Sequence, residues 1–234
     1  MNKDSSGFIL QIKDLNVSLG GQKIIEGVSL NLKDKENLMI VGPNGAGKTI
    51  MLKALLGLIP YEGEIKWKEN IKIGYVPQRL SMPKEIPLSV EEFFKFKSAS
   101  MEKIRESLES VGLNDFCILK MELGMISAGQ FQRVMIAWSL IDKPDALLFD
   151  EPTAGIDIGG EETIYNLLKK IEKSINITII LVTHDLNIVY RLADNVLCLN
   201  KKALCYGNPK EALSPENIDK LYKGEIKFYD HTHD

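Results

Sequence analysis

The stretch GPNGAGKT, residues 42–49, constrains the fold more than any other part of the chain. It follows the apolar run NLMIV (37–41) and precedes the helical pattern KTIMLKALLGLI (48–59). A G-x-x-x-x-G-K-[ST] pattern between a buried strand and a helix is typical of the phosphate-binding loop of nucleotide-binding α/β proteins. We therefore expect Lys48 to reach phosphate oxygens and Thr49 to ligate Mg²⁺. The nucleotide site predicted here consists of Gly42, Pro43, Asn44, Gly45, Ala46, Gly47, Lys48, Thr49 and Ile50.

Short apolar runs place this loop in an α/β core. ALLFD (146–150) and ITIILV (177–182) are nearly continuous apolar segments followed by turns and helical patterns, which is how buried parallel strands read. Residues 8–32 instead show strand-like alternation around the turn signal LGGQ, so the chain is expected to open with antiparallel strands. GEIKW, IKIGYV, NVLCL and KALCY add further short strands.

A helical insertion interrupts the core. Between Leu88 and Ile141 three helical patterns follow one another, the first opened by the capping box SVEE at Ser89. The predicted fold is an α/β P-loop NTPase core with a mostly parallel sheet, an N-terminal antiparallel β subdomain and an inserted α-helical subdomain. We expect one domain over 1–234, with 1–78 and 142–234 as the nucleotide-binding core and 79–141 as the helical subdomain.

Composition and charge exclude several classes of protein. The 234 residues are 44% hydrophobic, and 29 Lys and Arg oppose 32 Asp and Glu, so the net charge of −3 disfavours nucleic-acid binding. No apolar run approaches the ~20 residues of a membrane span, and the N-terminus is not typical of a signal peptide. The three cysteines (Cys117, Cys198, Cys205) lack CxxC spacing, and we expect them to be core thiols in a reducing compartment.

Two adjacent carboxylates end the run LLFDEP (147–152). Ionised groups at the end of a buried strand are costly unless a metal or a proton transfer compensates. We therefore expect Asp150 to hold the Mg²⁺ shell and Glu151 to act as the general base that polarises the attacking water. The alternative is a strand end with two solvated acids.

Three further features are weak on their own. His184 follows another buried strand, and Gln78 stands in YVPQ; a hydrogen-bonded loop residue is the alternative for each. Ser127 and Gln130 form a capping-box pattern, yet Gly129 between them costs up to ~1 kcal/mol in a helix. Small residues at a helix N-terminus allow a phosphate to approach, so SAGQ is interpreted as half of a site.

Together these motifs resemble a known family. GPNGAGKT, YVPQ, ISAGQFQRV, LLFDEPTAGID and VTHD, in this order, are similar to the motifs of the ATP-binding subunit of ABC transporters across almost the whole chain. In that family two copies sandwich two ATP molecules, each between the P-loop of one copy and the signature helix of the other. The resemblance implies the ABC ATPase fold and ATP hydrolysis with ATP and Mg²⁺ as cofactors.

The resemblance also assigns roles and partners. It implies that Ser127 and Gly129 contact the partner's γ-phosphate, that Gln78 senses the metal and nucleotide, that Asp157 lines the dimer contact and that His184 touches the γ-phosphate. It implies a homodimer in the ATP-bound state, integral-membrane permease subunits that dock on the helical insertion, and a cytoplasmic location on the inner face of the cell membrane.

Within the family the chain looks most like the ATPases of zinc and manganese uptake systems. IGYVPQRLSMPKEIPLSVEEFF and NVLCLNKKALCYGNPKEAL are similar to their corresponding segments. This likeness implies import of a divalent metal, zinc before manganese with iron left open, and indirectly an extracytoplasmic metal-binding protein. The tail HTHD is similar to their histidine-rich ends, but His231 and His233 are too few to indicate a metal site.

Some positions depart from the family pattern. Leu19 stands where an aromatic ring usually stacks on adenine, so we expect weak discrimination between ATP and GTP. Ile50 replaces a second hydroxyl after the P-loop, and Ala128 replaces a glycine of the signature. None of these changes removes a catalytic group.

Other functions fit less well. A P-loop kinase would have no use for SAGQ or for Glu151 and His184 together, and a binding-only module would be expected to lack one of those two. A soluble ABC ATPase of translation or DNA repair would normally bring tandem nucleotide domains or long coiled-coil insertions. An ABC ATPase of another transporter stays open as the alternative.

Overall fold

A computed structural model describes residues 7–78, 87–153 and 158–222 of the chain, without the side chains of 158–162. Contacts divide the chain into two units, Met1–Lys68 with Val182–Asp234, and Glu69–Leu181. The expected division has other boundaries, with a helical subdomain at 79–141 inserted in a nucleotide-binding core, and it stays a prediction.

The first unit opens with antiparallel strands, as expected. Strands β1 (Phe8–Leu19) and β2 (Gln22–Lys33) form a hairpin that turns at two glycines with positive φ, Gly20 and Gly21. Such a two-residue turn matches the twist of the paired strands. Strand β4 (Glu62–Trp67) pairs with the other side of β1, which gives the order β2-β1-β4.

A second set of strands in this unit is buried. Strand β3 (Leu38–Val41) has all four residues buried and runs parallel to β8 (Asn195–Asn200), which pairs antiparallel with β9 (Lys202–Gly207). The described residues of this unit also form four helices: α1 (Lys48–Leu55), α6 (Leu186–Leu192), α7 (Pro209–Ala212) and α8 (Pro215–Tyr222). The last two begin at the prolines that predicted them.

The cysteines correct an expectation. Cys117 is exposed rather than in the core, and Cys198 and Cys205 are joined by a disulfide rather than reduced. The register of β8 with β9 places these two residues opposite each other with Cα atoms 4.9 Å apart, within the range that a disulfide spans. The pairing depends on the hairpin, which the spacing of the cysteines along the chain does not reveal.

The second unit contains the other buried strands. They are β5 (Ile73–Val76), β6 (Ala146–Asp150) and β7 (Thr178–Val182), in that order, with β5 and β6 parallel. Every residue of β6 and β7 is buried, which explains their unbroken apolar runs. Helix α5 (Ile158–Ile175) lies between β6 and β7 in the chain. The expected α/β fold with mostly parallel strands and an antiparallel β subdomain is confirmed.

The expected helices follow one another in the same unit. They are α2 (Val90–Lys95), α3 (Met101–Ser110) and α4 (Ala128–Leu140). A short 3₁₀ helix (Phe116–Lys120), which was not expected, lies between α3 and α4 in the chain. The capping box at Ser89 is present: its hydroxyl accepts from the Glu92 N–H, and the Glu92 carboxylate accepts from the Ser89 N–H. Phe93 stacks on Trp138 with ring centroids 5.2 Å apart, so α2 packs on α4 through aromatic side chains. Across the described ranges, no helix combines the length and apolar character needed to cross a membrane.

Candidate nucleotide site

The P-loop, residues 42–49, joins β3 to α1 through a tight path in the first unit. A Cβ atom added at Gly42 would lie 2.0 Å from the carbonyl oxygen of Leu199 in β8. Gly47, which precedes α1, has φ of 98° in the left-handed region and packs against Ile24 of β2. Both positions exclude larger side chains, so the backbone of neighbouring strands determines the shape of the loop.

Lys48 lies inside this loop. Its side chain is buried, and Nζ donates to the carbonyl oxygens of Gly42 at 2.8 Å and Pro43 at 3.1 Å. A buried ammonium is costly without such partners. The loop therefore wraps around a positive charge at the N-terminus of a helix, an arrangement that suits a phosphate.

The remaining P-loop residues divide by exposure. Asn44 and Gly45 form the exposed tip, Ala46 is buried, and Thr49 and Ile50 are half-buried in the first turn of α1. The N–H of Lys201, between β8 and β9, donates to the Ala46 carbonyl at 3.1 Å. This hydrogen bond is a support of the loop that no sequence pattern predicted, because Lys201 lies about 150 residues away in the chain.

His184 lies near the strand that leads into this loop. It is exposed and follows Thr183, whose N–H donates to the Ile40 carbonyl of β3 at 3.2 Å. The Thr183 hydroxyl accepts from the Asp185 N–H at 3.1 Å, and Asp185 in turn caps α6. The backbone around His184 is thereby held beside β3, while its imidazole is free to face solvent or a ligand.

The second unit brings together Gln78 and Glu151. Strands β5 and β6 are paired in parallel with Val76 opposite Phe149, so the residues that follow each strand emerge at the same edge. There the Gln78 Nε2 donates to a carboxylate oxygen of Glu151 at 2.5 Å. The structure therefore connects two residues that the sequence places more than seventy positions apart.

The backbone of Glu151 is strained. Its φ of 45° lies in the left-handed region, which costs a residue other than glycine about 1–3 kcal/mol. Such strain persists only where the surrounding structure imposes it, and it clusters at functional sites. The neighbouring Asp150 is 2% exposed. Burial, with a smaller contribution from the Asp150 charge, raises the pKa of Tyr75 to about 12.

The start of α4 has the predicted capping box. The Ser127 hydroxyl accepts from the Gln130 N–H at 3.2 Å, and the Gln130 Oε1 accepts from the Ser127 N–H at 2.9 Å. Ser127 is exposed, and no described atom lies within 4 Å of a Cβ added at Gly129. Packing against the described part of the chain therefore does not require glycine there. Asp157 lies outside the described residues.

Comparisons with known proteins agree with these motifs. The family described as "ABC transporter" matches residues 25–154. The zinc import ATP-binding protein ZnuC of Haemophilus influenzae is 33% identical over 99% of this chain and 88% of its own length. A Thermotoga maritima protein named a probable metal transport system ATP-binding protein is 36% identical over 92% of this chain and 90% of its own.

A solved structure is also similar. CbiO1 of Clostridium perfringens, part of the ABC transporter complex CbiONQ, superposes with a TM-score of 0.77. It is 28% identical in sequence, and the match covers 92% of this chain and 94% of that one.

The close approach at Gly42 predicts the effect of a single methyl group. Gly42→Ala would force the Leu199 carbonyl away and deform the P-loop, at a cost of about 1–3 kcal/mol. We expect a lower melting temperature and at least about tenfold weaker binding of a fluorescent ATP analogue. Gly129→Ala is the control, because its added Cβ meets no described atom, and the variant should melt no lower than the parent and bind ATP as the parent does. Equal ATP affinity of the Gly42→Ala variant would contradict the steric argument.

Proposed function

Since this chain belongs to the ABC transporter family of ATP-binding proteins, we propose that it is the ATP-hydrolysing subunit of an importer for a divalent metal ion. Zinc is the first candidate, manganese the second. Membership of this family indicates that the chain binds ATP and that its hydrolysis of ATP is coupled to transport. The proposal adds the residues that do this work, their arrangement between two copies, and the substrate.

One observation carries the assignment of the hydrolytic residues. Glu151 is held in a strained backbone conformation at the end of a buried strand, with its carboxylate hydrogen-bonded to the Gln78 amide. A solvated acid at a strand end would require neither the strain nor the amide. This arrangement supports Glu151 as the general base and Gln78 as a residue that positions it.

The P-loop fits the nucleotide by its chemistry. Close contacts at Gly42 and Gly47 hold the backbone of the loop, and the carbonyl oxygens of Gly42 and Pro43 accept from the buried ammonium of Lys48, which would bind the β- and γ-phosphates. Thr49 and Asp150, with Gln78, would hold Mg²⁺, which neutralises phosphate charge when bound. These features support ATP and Mg²⁺ as cofactors.

Hydrolysis then needs a base and a partner for the γ-phosphate. Glu151 would accept a proton from the attacking water. The oxygen of that water bonds to the γ-phosphorus, and the bond between this phosphorus and the bridging oxygen of the leaving ADP breaks. His184, exposed and held beside β3, would donate a hydrogen bond to the γ-phosphate. We assign Glu151, His184, Lys48 and Gln78 as the catalytic residues.

The start of α4 would act on the nucleotide of a second copy. Ser127 is exposed, and neither Ser127 nor Gly129 is needed as a small residue by the described part of the chain. The N-terminus of this helix suits a phosphate. We propose that two copies face each other with ATP bound, with Ser127 and Gly129 of one copy against the γ-phosphate of the other and with Asp157 at the contact.

The relatives support the proposed partners and location. The relatives include import ATPases such as the zinc import protein of Haemophilus influenzae, and this supports membrane permease subunits as partners. We propose that these subunits dock on the helical subdomain 79–141. The proposed chain lies at the cytoplasmic face of the cell membrane and acts indirectly with an extracytoplasmic metal-binding protein. No residue of this subunit needs to touch the transported ion.

Glu151→Gln tests the general base. The amide preserves the size of the side chain and can still accept a hydrogen bond from Gln78, but it cannot take a proton. We expect phosphate release to fall about 10²- to 10⁴-fold while ATP binding persists, so that ATP traps the dimer in size-exclusion chromatography. Glu109→Gln, an exposed change on α3, is the control and should hydrolyse ATP normally. Undiminished phosphate release by Glu151→Gln would contradict the assignment.

Ser127→Arg tests the site between copies. The arginine would obstruct the partner's phosphate and remove a helix cap, and the loss of the cap alone costs about 0.5–2 kcal/mol. Ser100→Arg is a control, because the Ser100 side chain also caps a helix, accepting from the Lys103 N–H of α3, and has no proposed role in hydrolysis. We expect both variants to fold and bind ATP, and only Ser127→Arg to stop hydrolysis. Equal rates for the two variants would exclude this site.

The substrate is tested in the assembled transporter. The chain would be reconstituted in liposomes with candidate permease and binding-protein subunits, and ATPase activity measured with Zn²⁺, Mn²⁺ or Fe²⁺. We expect zinc to stimulate most. Stimulation by none of these ions would overturn metal import and leave the ABC ATPase assignment in place.

A further inference from the structure

The disulfide of the β8–β9 hairpin has no place in the proposed hydrolysis. Cys198 is completely buried at the centre of β8, whereas Cys205 on β9 is partly exposed. The two residues are direct partners in the antiparallel register. One sulfur is therefore protected and the other can be reached by a small reagent.

This hairpin is joined to the P-loop by backbone contacts. Cys198 is paired with Val41, the last residue of β3 before the loop. The next residue, Leu199, presents the carbonyl against which Gly42 packs, and the Lys201 N–H at the hairpin turn donates to the Ala46 carbonyl. The hairpin that the disulfide closes is thus part of the frame of the P-loop.

A disulfide in the proposed location calls for a reversible role. At the cytoplasmic face of a membrane thiols are kept reduced, and cytosolic disulfides are usually transient, catalytic or redox-sensing. We propose that Cys198 and Cys205 are a reversible oxidation site whose disulfide tightens nucleotide binding by the P-loop. The inference rests on the nucleotide binding that the proposed function assigns to this loop.

Oxidation can proceed by thiol–disulfide exchange with a low-molecular-weight disulfide such as glutathione disulfide. The Cys205 thiolate attacks one sulfur of the reagent, forms a mixed disulfide and releases one small thiolate. The Cys198 thiolate then attacks the Cys205 sulfur and expels the second. Two protein thiols become one disulfide, one reagent disulfide becomes two thiols, and the protons pass from the protein thiols to the released ones.

The direction of the effect follows from the contacts. The cross-link restricts the two strands next to the contacts with Gly42 and Ala46, so the oxidised hairpin holds the loop in its binding arrangement. In the reduced chain the hairpin samples further arrangements. If the binding-competent arrangement is then populated about one third of the time, the dissociation constant rises about threefold.

The experiment uses the full chain with the background change Cys117→Ser, which removes the exposed third thiol. The protein is equilibrated in buffers of varied glutathione disulfide to glutathione ratio. Mass spectrometry of unreduced peptides reports the cross-link, and titration with trinitrophenyl-ATP reports affinity. We expect a cross-link that dithiothreitol reverses and about threefold weaker binding after reduction. Cys205→Ser in this background should bind with one affinity at every ratio.

The outcomes separate the two proposals. Absence of the Cys198–Cys205 cross-link at the most oxidising ratio would overturn the oxidation site. A cross-link with unchanged affinity, or a Cys205→Ser variant that still responds to the ratio, would overturn the coupling to the P-loop. Failure to bind the nucleotide in either redox state would overturn the proposed function and the coupling with it, while the mass measurement reports the oxidation site independently.

Discussion

The buried ammonium of Lys48, bonded to the carbonyls of Gly42 and Pro43, is the interaction on which the rest of the site depends. A positive charge in the interior is tolerated only where oxygens surround it. The loop can surround it because Gly42 packs directly on the Leu199 carbonyl. Strands β3 and β8 are therefore part of the frame of the proposed phosphate site, together with the loop itself.

Strand pairing also positions the residues proposed to activate the attacking water. The parallel pairing of β5 with β6 brings Gln78 and Glu151 to one edge. There the carboxylate of Glu151, whose backbone is strained, accepts a hydrogen bond from the Gln78 amide. Under the proposed function this orientation prepares a base before any nucleotide arrives. The backbone strain at Glu151 then accompanies the positioning of its carboxylate, and such strain is common at functional sites.

Under the proposed function, the start of α4 both caps a helix and binds the nucleotide of a second copy. The hydrogen bonds between Ser127 and Gln130 cap the helix within one copy. They leave Ser127 exposed and Gly129 clear of described neighbours, so the same turn can meet the phosphate of a second copy. Gly129 weakens the helix, and a second copy that approaches this turn closely would explain why a glycine stands there.

The sequence predicts a structural feature well when the residues that form it are close together in the chain. The P-loop, the capping boxes at Ser89 and Ser127, and the first-turn prolines Pro209 and Pro215 are local patterns, and the structure contains each of them. The buried strands were also predictable, because an unbroken apolar run reflects burial on both faces.

Pairings between distant segments were not predictable from residue patterns. The contact of Lys201 with Ala46 and the hydrogen bond of Gln78 to Glu151 each depend on which strands lie side by side. The interpretation of the cysteines as core thiols is right about the burial of Cys198, but it is wrong for the exposed Cys117 and for the Cys198–Cys205 disulfide, which depends on the register of the β8–β9 hairpin. The sequence by itself determined the elements, the phosphate loop and the family. Only the tertiary structure decided which backbone groups frame the loop and which side chains meet, because strand register is set by packing between segments far apart in the chain.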